Sequence, residues 1–162
     1  ATRIASIDAK RGVATLDDGG EMPFDLFLGV PKHRVPRVVM ESGLAEDGWI
    51  PVNPRTLETK YPGIYALGDG ANTGTPKAGV FAEGAAKAVA SALIAQVKGG
   101  DTSQYDGFGT CYIEFGAGRI GKVEVDFFSG PQPKGTYHEP SLALRADKET
   151  FGASRRARWF RM

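Results

Sequence analysis

Apolar and polar residues alternate in the first part of the chain. Residues 3–8 (RIASID) and 12–17 (GVATLD) keep period two, the mark of half-buried strands. Asp17-Asp18-Gly19-Gly20 then supplies turn chemistry, and the apolar run 24–30 (FDLFLGV) predicts a buried strand fed by this antiparallel meander. Pro31 and Pro36 break any continuation. Residues 37–45 predict a short helix ending near Glu46-Asp47-Gly48. Trp49 to Val52 reads as a short extended piece, Asn53-Pro54 as a turn, and 63–67 (GIYAL) as a short buried strand. Over 78–98 the period becomes helical. Ala78, Val80, Phe81, Ala85, Ala88, Val89, Ala92, Leu93 and Val97 form a broad apolar stripe, closed by Gly99-Gly100. Beyond the linker DTSQYDGFG, residues 110–115 and 122–128 read as strands joined by GAGRIG. Residues 129–141 read as a Pro- and Gly-rich loop, and 142–162 as a basic tail, helical or irregular. No internal repeat or low-complexity segment interrupts this order.

Composition narrows the picture. With 162 residues, 41% hydrophobic and 24% charged, the chain is expected to be globular, as one domain or two small pieces. A net charge of +1 points to neither a nucleic-acid binder nor a trap for acidic ligands. Its 22 glycines imply tight turns and close backbone approaches. A single cysteine, Cys111, excludes an intramolecular disulfide and an all-cysteine metal site. There is no signal-peptide pattern and no uninterrupted apolar run of about 18 residues. Opening at Ala1, inside a strand pattern, is what a processed chain or a piece of a longer one would show. His33 and His138 fit no metal-ligand spacing and read as structural or surface residues.

Two glycine-rich stretches compete as ligand sites. Gly116-Ala117-Gly118-Arg119-Ile120-Gly121 fits G-x-G-x-x-G, but a dinucleotide-binding turn must open a helix, and the residues that follow alternate as a strand does. It therefore reads as a hairpin. The second stretch is YPGIYALGDGANTGTP, where an apolar run stops at Gly68-Asp69-Gly70. In open α/β folds ligands bind beyond the carboxyl ends of strands. A carboxylate there, with glycine on both sides, can accept hydrogen bonds from the hydroxyls of a ribose or ribityl chain. An Asx turn or a cap for the next segment is the alternative.

The wider pattern is a compound one: Pro62-Gly63-Ile64-Tyr65-Ala66-Leu67-Gly68-Asp69-Gly70, then Pro76-Lys77-Ala78-Gly79, then a long Ala-rich helix. It resembles the second flavin-binding signature of the pyridine nucleotide-disulfide oxidoreductase superfamily. Pro76-Lys77-Ala78-Gly79 is similar to the Pro-Lys-Thr/Ser-Gly of sulfide:quinone oxidoreductases and flavocytochrome c sulfide dehydrogenases, with Ala78 in place of the hydroxyl residue. Gly109-Thr110-Cys111-Tyr112 resembles the segment bearing their C-terminal redox cysteine. The resemblance implies FAD, with Asp69 on its ribityl chain and the following helix aimed at the pyrimidine end of the flavin. A helix N-terminus there stabilises the negative charge of reduced flavin, and Lys77 would add a full positive charge; otherwise Lys77 is an ordinary exposed lysine. Gly68, Gly70 and Gly79 complete the implied cofactor-binding set.

The same resemblance implies a small-molecule sulfur donor and a quinone as reaction partners, with electrons passing through cysteine and FAD. The family's earlier cysteine and its N-terminal G-x-G-x-x-G unit have no counterpart here, so the chain by itself is not expected to turn over. Cys111 is then either the catalytic thiol or, as for most lone cysteines on apolar strands, a buried small hydrophobe. Arg155, Arg156, Arg158, Trp159 and Phe160 suit peripheral contact with an anionic membrane surface. They equally suit a C-terminal helix that packs its aromatics and leaves its arginines in water. Dispersed acidic residues argue against nucleic acid.

The expected fold is α/β, α+β within the chain itself: part of a two-dinucleotide-binding-domain flavoprotein with a C-terminal β-rich domain. Residues 1–30 would end the second, NAD-like domain. Residues 31–100 would be the C-terminal half of the FAD domain, and 101–162 a flavin-covering or interface domain. The location implied is cytoplasmic or peripheral to the membrane, and periplasmic for a flavocytochrome-type subunit. The alternatives are an NADH-dependent quinone or disulfide-type flavoprotein reductase, a flavocytochrome c sulfide dehydrogenase subunit, and an interaction module with no redox role.

Overall fold

The computed structural model describes residues 2–30 and 32–161, so Pro31, read above as a break, lies outside the described residues with Ala1 and Met162. The chain mixes helices and sheets, an α+β arrangement, in two compact units, Ala1–His33 and Arg34–Met162.

In the first unit β1 (Ile4–Asp8), β2 (Val13–Leu16) and β3 (Glu21–Pro23) form an antiparallel meander in that order. Ala14 is fully buried at its centre. The apolar run 24–30 is not the buried strand that its composition predicts. Register pairs Val13 with Pro23 and Thr15 with Glu21, so β3 lies before the run. Pro23 has no N–H with which to extend the ladder. Phe24 instead donates to Gly12 O at 2.8 Å, and its ring folds against Phe27. Leu28 and Val30 are left 86% and 88% exposed.

The second unit begins with the short helix α1 (Arg37–Glu41), and its core is built on a long one. β4 (Ile50–Pro51) pairs in parallel with β5 (Ala71–Asn72). α2 (Gly79–Lys98) follows, and Phe81, Ala85, Ala88 and Val89 on one side of it pack with Leu57 and Tyr105 as the buried cluster. By length and composition α2 is apolar enough to cross a membrane, yet it supplies this core. β6 (Phe108–Glu114), β7 (Ile120–Asp126) and β8 (Lys134–Ser141) form a second antiparallel sheet. The β6–β7 connection is the expected hairpin. Gly116, Ala117 and Gly118 all have positive φ, and Phe115 N–H donates to Arg119 O at 3.0 Å. α3 (Leu144–Phe160) completes the unit.

Two further expectations fail. Residues 63–67 form no strand; they pair with 57–59 through one bridge, Glu58–Tyr65, and two flanking main-chain bonds. Pro62 and Gly63, the latter at φ 76°, allow no longer ladder there. Conversely, the Pro- and Gly-rich stretch read as loop holds β8. It is an edge strand, where Pro140 is tolerated beside a shift in register between Ile120 and Lys122.

Candidate functional site

The loop that leads into α2 carries the predicted residues. Leu67 is extended, Gly68 turns at φ 71°, and Gly68–Gly70 is a single 3-10 turn closed by Ala71 N–H on Gly68 O. A side chain at Gly68 would favour other backbone angles, so glycine serves the turn. Asp69 thus sits between an extended residue and the start of β5, not at the end of a preceding strand. It is exposed.

Behind the loop lies a small polar chain. Thr73 is buried, its hydroxyl 2.8 Å from that of Thr75, and Tyr105 Oη donates to Thr75 Oγ1 at 3.3 Å. Burial pushes the Tyr105 phenol up, and its bond to Thr75 offsets this in part. These contacts hold 73–75 while the chain turns through Pro76. Ala78 then enters α2 as an extended N-cap residue with no side-chain cap. Its methyl cannot accept a hydrogen bond; Phe81 N–H donates to Ala78 O at 3.0 Å, and the N–H groups of Gly79 and Val80 at the head of α2 have no side-chain cap.

Lys77 is an exposed residue, but its ammonium has two partners. Its Nζ donates to Ala71 O at 2.9 Å and lies 3.8 Å from the centre of the Trp49 ring. Desolvation lowers its pKa below the ordinary lysine value, against the opposing charge of Asp69. Gly68, Pro76, Lys77 and Ala78 meet around a cavity of about 10 Å³, with Thr73, Thr75 and Phe81. That volume suits one water. Any larger ligand must lie over the open side of the loop, where Asp69 and Gly79 are exposed; nothing stands within 4 Å of where a Gly79 Cβ would be.

Cys111 is on β6, opposite Val123, and is exposed. The buried-hydrophobe alternative is therefore corrected: the strand turns this position outward. Strand alternation puts it on the face of Gly109. Gly109 is covered by the Phe81 ring, which would stand 2.5 Å from a Cβ there. Phe81 belongs to the first turn of α2. Cys111 thus lies two positions along the strand face on which the head of α2 is seated, roughly 7 Å further on.

The tail reverses the packing expected of an ordinary terminal helix. Arg155 and Arg158 are drawn inward, while Trp159 and Phe160 are not packed. Arg155 Nε donates to Glu83 on α2 at 2.8 Å, Arg158 also pairs with Glu83, and Lys87 lies 3.4 Å away. Burial raises the Glu83 pKa, but Arg155 and the other two cations outweigh it and hold the carboxylate below its usual range. Trp159 and Phe160 are 55% and 65% exposed. His138 pairs with Glu124 at 2.8 Å beside the Lys122–Asp147 ion pair, a surface network and no metal centre; among the described residues no cluster suits a metal ion.

Trp49 and Glu83 were not singled out by sequence reasoning. Glu83 left a signal, being the one carboxylate in α2. Trp49 follows an Asp-Gly turn, which marks a tight reversal but not its distant partner.

No protein-family model matches the chain. It is 30% identical to the mitochondrial sulfide:quinone oxidoreductase of Schizosaccharomyces pombe over 127 residues, 75% of this chain and 27% of that protein. It is 30% identical to the mouse mitochondrial sulfide:quinone oxidoreductase over 123 residues, 72% of this chain and 27% of that one. The coenzyme A disulfide reductase of Staphylococcus aureus is 35% identical over 102 residues, 58% of this chain and 23% of that protein. The chain spans about a quarter of the length of these curated relatives. One solved structure, a chain of the Tetrahymena thermophila mitochondrial ATP synthase, superposes with TM-score 0.65 over 90% of this chain and 35% of that one. At 21% identity that likeness concerns the fold alone. The sequence similarity is to oxidoreductases, and it supports that class.

Proposed function

We propose that this chain is the C-terminal portion of an FAD-dependent oxidoreductase of the sulfide:quinone oxidoreductase kind. The observation that carries the reading is one loop. It offers an exposed carboxylate, a partnered ammonium and an uncapped helix N-terminus within residues 69–79.

These groups fit FAD. The Asp69 carboxylate would accept hydrogen bonds from ribityl hydroxyls. The first N–H groups of α2 and the Lys77 ammonium present positive charge to the pyrimidine edge of the flavin. Lacking the hydroxyl that relatives have at position 78, the chain offers main-chain donors alone at that point. When bound, FAD supplies two-electron redox chemistry. Cys111, exposed on the strand face where the head of α2 sits, would form with the second thiol a disulfide that sulfide opens to a persulfide and a thiolate; as the outer sulfur leaves to an acceptor and the disulfide re-forms, two electrons would pass to FAD. The second thiol of such chemistry would come from the rest of the protein.

Quinone as acceptor implies docking at a membrane. Trp159 and Phe160 stand exposed at the end of α3, with Arg156 beside them in sequence, and supply the aromatic and cationic groups that an anionic surface binds. Arg155 and Arg158 are drawn instead toward Glu83.

The test is the visible spectrum of the full-length protein as purified, before and after anaerobic sulfide. Flavin bands that bleach with sulfide are expected. Their absence overturns the cofactor assignment. Similarity to a coenzyme A disulfide reductase favours a second reading, a nicotinamide-dependent disulfide-type reductase. Flavin that ignores sulfide and bleaches with a reduced nicotinamide would select it.

A further inference from the structure

Lys77 is held by two contacts of different chemistry, and both come from the pairing of β4 with β5. Ile50 is in register with Ala71. The residue before Ile50, Trp49, therefore lies level with Gly70, and its ring and the Ala71 carbonyl meet at the Lys77 ammonium. A tight turn sets Trp49 there. Asp47 and Gly48 have φ 50° and 87°, and Glu46 and Trp49 exchange main-chain bonds of 2.7 and 3.0 Å. Trp49 is half-buried, and its ring takes the ammonium at 3.8 Å. Indole is the strongest cation–π partner among the side chains.

The choice of partners matters. A carboxylate in place of the ring would hold Lys77 as firmly and cancel its charge. A ring face and a carbonyl oxygen hold the ammonium and leave its charge intact. Of its three N–H donors, one is spent on Ala71, so donors remain for a ligand.

We propose that Trp49 is a positioning residue: its indole face and the Ala71 carbonyl pin the Lys77 ammonium at the head of α2, where its charge meets the anionic edge of a reduced flavin. This rests on the FAD reading above. Trp49 itself touches no reacting atom. Its role is to keep a long, flexible side chain from swinging into water.

Two readouts on the full-length protein test this with Trp49→Leu, Trp49→Phe and Lys77→Met. The first uses flavin-free protein and follows the Lys77 ammonium by NMR during pH titration. Trp49→Leu should move the Lys77 titration away from its wild-type position, and Trp49→Phe should move it less. The second is the two-electron potential of the bound flavin. Lys77→Met and Trp49→Leu should each lose about tenfold of the preference for reduced over oxidised flavin, a fall of about 30 mV. Trp49→Phe should fall by less. Should Trp49→Leu fail to fold, Trp49→Phe must still lie between wild type and Lys77→Met.

A lowered potential in Lys77→Met with wild-type potentials and an unmoved Lys77 titration in both Trp49 variants overturns the role of Trp49 and leaves the flavin reading standing. Wild-type protein that binds no flavin overturns the flavin reading itself, and the ligand of this inference with it.

Discussion

Two carboxylates of the second unit sit at turns, Asp126 as the last residue of β7 and Asp69 within the turn before β5, and they spend their lone pairs differently. Asp126 Oδ1 accepts N–H bonds from Phe128 and Ser129, both at 2.9 Å. The Phe128 bond is the main reason its pKa lies below the usual carboxylate range. Asp8, Asp18, Asn53 and Asp106 act in the same way on the N–H groups just ahead of them. Among the described residues no such bond is found at Asp69, whose turn is closed by main chain alone, Ala71 on Gly68. A turn that closes through its backbone, with glycine at the strained position, leaves its carboxylate free for something else. That difference, more than the Gly-Asp sequence, is what the proposed role of Asp69 rests on.

The largest effect should come from removing what supports both turns. Phe81 is buried, sits over Gly109, and meets Phe127, the neighbour of Asp126, edge-on at 5.5 Å. Phe81→Ala should cost about 3–5 kcal/mol in urea unfolding of the full-length protein and weaken FAD retention as well. Loss of stability with flavin affinity intact would detach the α2 head from the site.

Asp69→Ala should separate the two turns. FAD binding should weaken roughly tenfold or more, as for loss of a hydrogen bond to a charged group, and the melting temperature should fall no further than the lost flavin binding requires. Unchanged affinity would return Asp69 to the fasteners.

Asp126→Ala should do the reverse, lowering the melting temperature while leaving flavin affinity alone. Its pH dependence has a definite sign. Because the folded pKa is depressed, the wild-type advantage is complete above the ordinary carboxylate value of 3.8 and is lost as pH falls through the lower folded value. A gap that widens in acid would contradict the assignment.

The smallest structural effect belongs to Cys111→Ser. An exposed thiol replaced by a hydroxyl should change stability by no more than about 0.5 kcal/mol and leave FAD bound. It should nevertheless abolish sulfide-dependent flavin reduction. Normal turnover would remove Cys111 from the chemistry.

Much of this architecture is legible along the chain, because it depends on local period. The stripe on α2, the alternation of β1 and β2 and the glycine hairpin between β6 and β7 each follow from neighbours in sequence. What failed depends on partners. The run 24–30 is apolar enough for a buried strand, but Pro23 and the register of β3 leave it unpaired. Residues 134–141 look like loop, yet the open edge of β7 gives them a ladder. The tail was equally ambiguous: a single acid on α2, Glu83, decides that Arg155 and Arg158 turn inward while Trp159 and Phe160 stay out.

The site divides in the same way. Asp69 and Pro76 to Gly79 could be singled out because their spacing forms a compound pattern. Trp49 could not, since it reaches Lys77 only through a two-residue parallel pair, too short to leave a period. Cys111 was visible as a lone thiol, but its exposure became clear only with β6 placed against β7.

Everything proposed for the loop rests on a flavin being there, and the anaerobic visible spectrum of the full-length protein during sulfide titration tests that most directly. The account predicts flavin absorption bands that bleach as sulfide is added. A colourless protein would contradict it and make the Gly-Asp-Gly turn a turn and nothing more.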